Sequence, residues 1–230
     1  MKQIDTYISE KLKLNRDTGV RQYNYHPEDK KELRALIEEL IEERGPNADL
    51  NDIDVSGIDN MHYLFYSIKI EKIDISKWSV SNVKTMEGMF CHCLEFNCDL
   101  SKWDVSNVEN MKSMFDYCKK FNSDLSMWDV SNVKDMRSMF EECRQFCCDL
   151  SEWDVSNVKS MADMFNWCLS FNSDLSKWNT CNVVTMHNMF LNCGKFDSDL
   201  SKWNVKNCYI MGDMFDSCKS LKKIPDWYKK

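Results

Sequence analysis

Apolar and polar positions recur with a period of 25 residues along most of the chain. Tryptophan marks the period most clearly, at Trp78, Trp103, Trp128, Trp153, Trp178 and Trp203. A period between about 20 and 50 residues is typical of stacked structural units. The pattern predicts seven rows: row 1 (49–73), row 2 (74–98), row 3 (99–123), row 4 (124–148), row 5 (149–173), row 6 (174–198) and row 7 (199–223).

Each row is predicted to contain one strand and one helix. Its first half, DLSKWDV in row 3, carries Leu, Trp and Val between polar residues, which indicates a short parallel strand. Its second half places the apolar residues of one row within an arc of about 120° on a helix. In row 3 these residues are Val108, Met111, Met114, Phe115 and Cys118. The predicted fold class is therefore a curved α/β solenoid of short parallel strands and short helices.

The segment before the repeats is predicted to cover row 1. Residues 27–44 combine a proline at a helix start, early acidic residues and an apolar stripe, and a Gly-Pro stop follows. Residues 4–12 suggest another short helix. Because terminal rows must cover an open core, we predict an N-terminal helical cap at 1–48, a repeat solenoid at 49–227 and a tail at 228–230.

Composition narrows the classes of function. A formal net charge of −7 disfavours a general nucleic-acid or anionic-membrane binder, because both need a basic surface. The start of the chain has no apolar run of signal-peptide length, and no stretch is long enough to span a bilayer. We therefore predict a cytoplasmic location without membrane insertion. No nucleophile with a base, phosphate loop or metal motif is found, so neither an enzyme nor a cofactor is predicted.

Three columns of equivalent residues are interpreted as structural ladders. The seven aspartates of one column are expected to accept backbone N–H groups where each strand begins. A row of calcium sites is the alternative, disfavoured by the presence of only six glycines. The asparagines are expected to form a buried ladder bonded to the neighbouring row, and the tryptophans to lie in the core. The ladder residues singled out are Asp99, Asp124, Asp149, Asp174, Asn107, Asn132, Asn157, Trp103, Trp128 and Trp153.

Six of the twelve cysteines share one column on the predicted helices. Helix axes about 8–10 Å apart would hold their Cα atoms beyond the reach of a disulfide. They are therefore interpreted as small buried thiols, which favours a reducing compartment. The run Cys91-His92-Cys93 resembles half of a zinc site, but no second half lies at a usable spacing, so no metal site is predicted.

The run V-x-x-M-x-x-M-F-x-x-C-x-x-F, followed by N-x-D-L-S-x-W-D-V-S-N, resembles the BspA-like leucine-rich repeat family of bacterial surface proteins. The resemblance covers residues 49–221, and W-D-V-S-N-V is its most specific run. It implies a right-handed, leucine-rich-repeat-type solenoid on the cell surface or secreted, with a role in adhesion. It implies no catalytic residues.

The predicted function is a monomeric, non-enzymatic scaffold that binds a partner protein through the surface of the solenoid. The candidate contact surface is the column before tryptophan, where side chains differ in charge and size beside the predicted strands. Its members are Lys77, Lys102, Met127, Glu152, Lys177 and Lys202. One alternative is a cell-surface adhesion or structural protein of the BspA-like type, and another is a calcium-binding repeat protein.

Overall fold

One α-helix precedes the rows in the computed structural model, which describes residues 23–229. Helix α1 runs Lys30–Arg44. Asp29 caps its N-terminus by accepting the N–H of Glu32 at 2.9 Å, and Gly45, with φ at 86°, ends it. The helix predicted within residues 27–44 is confirmed.

Helix α1 covers the N-terminal end of the stack of rows. Its buried side chains Leu33, Ile37 and Leu40 belong to the same hydrophobic core as the rows. Burial of side chains of this size is worth about 1.5–3 kcal/mol each. The predicted helix at residues 4–12 lies outside the described residues, and the division of the chain at residue 48 stays a prediction.

Equivalent residues of successive rows lie side by side, in register. Alternate N–H groups of row 3 donate to carbonyl oxygens of row 4 at 2.7–3.0 Å, and the donors are Met111, Ser113, Phe115 and Tyr117. The same pattern recurs from row to row, so these N–H groups all point toward the C-terminal end. Isolated parallel bridges link the rows in one line through Asn60, Thr85, Asn110, Asp135, Ser160, Thr185 and Ile210.

The predicted row helices are absent from residues 49–229, and in their place the chain makes consecutive turns. In row 3 the N–H of Met114 donates to the carbonyl of Met111 at 3.2 Å. Ser113 and Tyr117 have φ values of 53° and 60°, which a right-handed helix does not allow. The helix prediction was wrong because apolar residues three and four positions apart also fit a series of consecutive turns. In these turns some N–H groups bond a carbonyl within the row, and those between them bond the next row.

The predicted strands are also absent, and the described residues contain isolated bridges rather than a sheet. In row 3 the N–H of Trp103 donates to Leu100 at 3.1 Å, which closes a turn where a strand was expected. Asp99 Oδ1 accepts the N–H of Ser101 at 2.9 Å, and such Asx turns compete with strand pairing. The prediction of an α/β solenoid, including the leucine-rich-repeat-type architecture, is therefore wrong. Each row is a series of turns, and the rows stack on one another.

Aromatic and sulfur-containing side chains fill the interior of the stack. The rings of Phe90, Phe115, Phe140 and Phe165 follow one another with centroids 5.6–5.7 Å apart and planes within 10°. All four side chains are fully buried. Because each ring contacts its counterparts in adjacent rows, the apolar surface of one row is covered only when its neighbours are present.

All twelve cysteines are free. In the shared column each thiol donates to a phenylalanine carbonyl of the preceding row, as Cys118 does to Phe90 at 3.1 Å and Cys143 to Phe115 at 3.1 Å. Five members of this column are buried, and Cys218 is half-buried. The helix spacing from which free thiols were predicted does not exist, and each thiol of this column instead bonds a turn of the preceding row.

Helix α1 also supplies hydrogen-bond donors to row 1, whose outermost carbonyl groups face the N-terminal end. Lys30 Nζ donates to the carbonyl of His62 at 3.1 Å. The Arg34 guanidinium donates to the carbonyl groups of Tyr63 at 2.8 Å and Leu64 at 3.0 Å. At His62 and Leu64 these cationic side chains replace the N–H groups that a preceding row would have provided, whereas the Tyr63 carbonyl also accepts the N–H of Tyr66 within row 1.

Candidate functional site

The aspartate column lies on the surface, where each carboxylate closes a turn in its own row. Oδ1 accepts the N–H of the residue two positions later, at 2.9–3.0 Å, in Asp99, Asp124, Asp149 and Asp174. These hydrogen bonds from serine favour the charged carboxylates and hold their pKa values below the ordinary 3.8. The geometry gives this column a structural role within turns rather than at strand entries.

The asparagine column connects each row with the preceding one. Nδ2 donates to a backbone carbonyl of that row at 2.7–2.8 Å in Asn107, Asn132 and Asn157. All three side chains are exposed, so the expectation of a buried ladder is wrong. The amides lie at the surface and reach across to the neighbouring row.

The tryptophan column makes a similar connection from inside the core. Nε1 donates to a carbonyl of the preceding row at 3.0–3.2 Å in Trp103, Trp128 and Trp153. The three residues are only 3–4% exposed. Because a buried indole N–H needs an acceptor, this bond fixes the spacing of the rows as well as the orientation of each ring.

The column before tryptophan forms an exposed line, called the stripe below. Its members Lys77, Lys102, Met127, Glu152, Lys177 and Lys202 are all exposed. Met127 is 85% exposed. Lys177 Nζ and Glu152 Oε1 form an ion pair at 2.8 Å across adjacent rows. The stripe thus carries an apolar side chain between charged ones.

A separate cluster of metal-binding side chains lies where rows 2 and 3 meet. Cys91, His92 and Asp116 each present a ligand atom, and these atoms lie within 4.8 Å of one another. Cys91 Sγ is 3.6 Å from Asp116 Oδ2. The N–H of His92 donates to the carbonyl of Asp116 at 2.8 Å, which fixes the two rows relative to each other. Among residues 23–229 no other group of three such side chains comes this close.

Asp116 occupies an apolar and acidic environment. Its Oδ1 atom is buried without a hydrogen-bond partner. Burial, helped by the neighbouring carboxylate of Glu141, raises the pKa of Asp116 to about 7. Burial also raises the pKa of the Cys91 thiol to about 12, and the nearby Asp116 carboxylate acts in the same direction. The Cys91 thiol and the Asp116 carboxyl group therefore lie side by side, and the surroundings of each favour its neutral, protonated form.

Cys91 and His92 were expected to need a second half-site at a usable spacing along the chain, so Asp116 was not predicted to lie beside them. The signal was present in the period. Asp116 follows Cys91 by 25 residues and therefore occupies the same column of the next row. In the other rows this column holds no cysteine, so the cluster is a departure from the repeat.

Comparison with protein families places the chain in one of them. The family model described as "Mycoplasma protein of unknown function, DUF285" matches residues 35–152 and 123–227. The chain belongs to this family. The two matches overlap at 123–152 and together extend from within α1 through row 7. No curated protein and no solved structure matches the chain.

The family description assigns no function. This match does not bear on the resemblance to BspA-like proteins, which stays a prediction. In the part of the chain that the structure describes, no helix has both the length and the apolar character to cross a membrane.

Proposed function

We propose that the chain is a non-enzymatic scaffold that binds a partner protein through the stripe. One observation carries this proposal: the exposed columns whose side chains bond the backbone are nearly constant, whereas the stripe beside them varies. Asp124 closes a turn, and Asn132 bonds the preceding row. Met127, in the same row, stands where other rows place lysine or glutamate. Selection for stacking accounts for the constant columns but not for the varied one.

The backbone beneath the stripe is well held. In row 3 the N–H of Ser101, which precedes Lys102, bonds Asp99 Oδ1 at 2.9 Å. The following residue, Trp103, anchors its indole to Ile75 at 3.2 Å. A surface whose backbone is already ordered loses less conformational entropy when a partner binds. This arrangement favours recognition by side chains presented on a fixed frame.

The chemistry of the stripe indicates the kind of partner surface that it fits. Met127 offers an adaptable apolar contact, and methionine is common at protein-binding surfaces. Lys102 and Glu152 occupy the adjacent rows on either side of it. A partner with an apolar side chain between an acidic and a basic group would match these three rows.

A second exposed column also varies and provides a matched control. Its members are Lys84, Glu109, Lys134, Lys159, Val184 and Tyr209. The N–H of each bonds the preceding row at 2.8–3.0 Å, so the backbone is held there as well. A charge reversal in this column changes the net charge as one in the stripe does, at a different place on the surface.

Differential capture from native lysate tests the proposal. The bait proteins are the wild type, a stripe variant carrying Lys102→Glu and Met127→Asp, and a control variant carrying Lys159→Glu and Val184→Asp, which changes the net charge equally. We expect at least one protein to be captured by the wild type and the control and lost from the stripe variant. Circular dichroism must show that all three baits fold alike. Identical captured sets for the stripe variant and the wild type would contradict the proposal.

A further inference from the structure

We propose that Cys91, His92 and Asp116 form a binding site for one zinc-type divalent transition-metal ion, with a fourth position left for water. This site is independent of the stripe and of the proposed scaffold role. A thiolate, an imidazole and a carboxylate are all ligands that zinc accepts, and three protein ligands with one open position are typical of accessible zinc sites.

The separations of the donor atoms suit such an ion. Zinc bonds of about 2.0–2.3 Å in a tetrahedral arrangement place neighbouring donor atoms about 3.5 Å apart. Cys91 Sγ and Asp116 Oδ2 already lie 3.6 Å apart, and no pair of ligand atoms in the cluster is farther apart than 4.8 Å. The donor atoms therefore need to approach one another by at most about 1.3 Å to reach this arrangement.

The backbone around the site is fixed by the pairing of rows. The N–H of Ser67 donates to the carbonyl of Cys91 at 3.1 Å, and the N–H of His92 donates to that of Asp116 at 2.8 Å. The His92 ring stacks on the Tyr117 ring with centroids 4.7 Å apart and planes 11° apart. Preorganised ligands and an oriented imidazole both increase metal affinity.

The surroundings of Asp116 would also be stabilised by a bound cation. Its Oδ1 atom is buried and has no hydrogen-bond partner. The carboxylates of Glu141, Glu142 and Asp163 act on it and disfavour its negative charge. Among residues 23–229, no lysine or arginine forms a salt bridge with Asp116 or Glu141. A divalent ion would supply the positive charge that the described side chains do not.

The repeat itself does not require these residues. The counterparts of Cys91 in other rows are Tyr66, Asp116, Glu141, Asn166, Leu191 and Asp216, and those of His92 are Ser67, Tyr117, Glu142, Trp167, Asn192 and Ser217. Only one pair of adjacent rows combines a thiol, an imidazole and a carboxylate. The cluster is therefore a local specialisation of a surface on which most rows carry other side chains.

Cobalt(II) titration of the full chain tests this site. The protein is prepared without a histidine tag, stripped with a chelator and kept reduced, and Co²⁺ is added while absorption is recorded. We expect one saturable Co²⁺ per chain, with a thiolate-to-cobalt charge-transfer band that disappears when Zn²⁺ displaces the cobalt. Zn²⁺ should also raise the melting temperature of the stripped protein.

Three variants assign the signal to residues. Cys91→Ser should abolish the charge-transfer band, and Cys147→Ser, which changes an exposed cysteine elsewhere, should retain it. His92→Gln alters an exposed side chain and should weaken binding without unfolding the chain. It therefore decides the matter if Cys91→Ser fails to fold. The proposal is overturned if the wild type shows no saturable binding, or if both Cys91→Ser and His92→Gln bind cobalt as the wild type does.

Discussion

The two ends of the stack differ in how their backbone groups are satisfied. At the N-terminal end, Lys30 and Arg34 of α1 donate hydrogen bonds to row 1 carbonyl groups at 2.8–3.1 Å. At the other end, the row 7 N–H groups equivalent to the row-to-row donors have no acceptor within residues 23–229. These groups belong to Met211, Asp213, Phe215 and Ser217.

The difference follows from the direction of the row-to-row hydrogen bonds. In row 3 four such N–H groups donate to the next row and one, that of Glu109, donates to the preceding row. Because most of these donors face one way, one end of the stack presents mainly carbonyl oxygens and the other mainly N–H groups. Aligned peptide dipoles make a carbonyl end partially negative and an N–H end partially positive. Cationic side chains therefore suit the first end, whereas an acceptor would suit the second. One kind of cap therefore cannot serve both ends.

Apolar burial shows the same contrast. Val55 and Met61 of row 1 are buried, whereas their row 7 counterparts Val205 and Met211 are only half-buried. Trp227 covers part of the row 7 core by stacking on Trp203 at 6.3 Å. We therefore expect row 7 to open more readily than row 1.

The largest expected effect comes from shortening an isoleucine at each end. Ile37→Ala leaves a cavity between α1 and row 1 and should lower the free energy of unfolding by about 2–5 kcal/mol. Ile224→Ala, at a side chain that is 55% exposed, should change it by less than about 0.5 kcal/mol. Urea denaturation measures both. Equal losses would mean that the two ends are covered alike.

A smaller effect is expected when the cationic cap is removed. Arg34→Ala leaves the carbonyl groups of Tyr63 and Leu64 without these donors and should cost about 1–3 kcal/mol. Lys31→Ala removes an exposed charge from the same helix and serves as the control. If both substitutions change the denaturation midpoint equally, capping of row 1 by Arg34 is not what stabilises this end.

The smallest expected effect concerns the loss of stability at acidic pH. The pKa of Asp74 lies below 3.8 because hydrogen bonds from Ser76 and Asn51 outweigh the opposing effect of its burial, and that of Asp199 lies below 3.8 because of hydrogen bonds from Ser201. Carboxyl groups with lowered pKa values contribute stability that is complete above about pH 5 and is lost as the pH falls through the folded-state pKa.

Asn keeps the side-chain oxygen that accepts the turn N–H but does not titrate. Asp74→Asn, in row 2, should therefore reduce the loss of melting temperature between about pH 4 and pH 2. Asp199→Asn should reduce it less, because a turn in row 7 can open while the other rows stay folded. An equal reduction at the two positions would contradict the difference between the ends.

The sequence allowed α1 and the spacing of the rows to be predicted, but not the backbone within them. Helix α1 has a cap residue, an apolar stripe and a glycine stop, which are all local signals. Left-handed backbone at Tyr117, by contrast, is not encoded by its residue type, since bulky side chains rarely adopt it. It depends on hydrogen bonds from two adjacent rows, which no local pattern displays.

A partial signal for the left-handed positions did exist. One left-handed column holds Gly88, Asp163 and Asn188, which are the residue types that most readily adopt positive φ. Alignment of the rows could have predicted a turn there. The same alignment would have placed Asp116 beside Cys91, whereas the burial of Asp116 could not have been read from residue types.

Amide hydrogen exchange at matched residues tests the central claim most directly, namely that each row is held by N–H groups donated to the next. Met111 and Phe115 in row 3 donate to row 4 at 3.0 and 2.9 Å, whereas their row 7 counterparts Met211 and Phe215 have no acceptor among the described residues. We predict strong protection at Met111 and Phe115 and fast exchange at Met211 and Phe215. Equal protection of the two pairs, or fast exchange in row 3, would contradict the account.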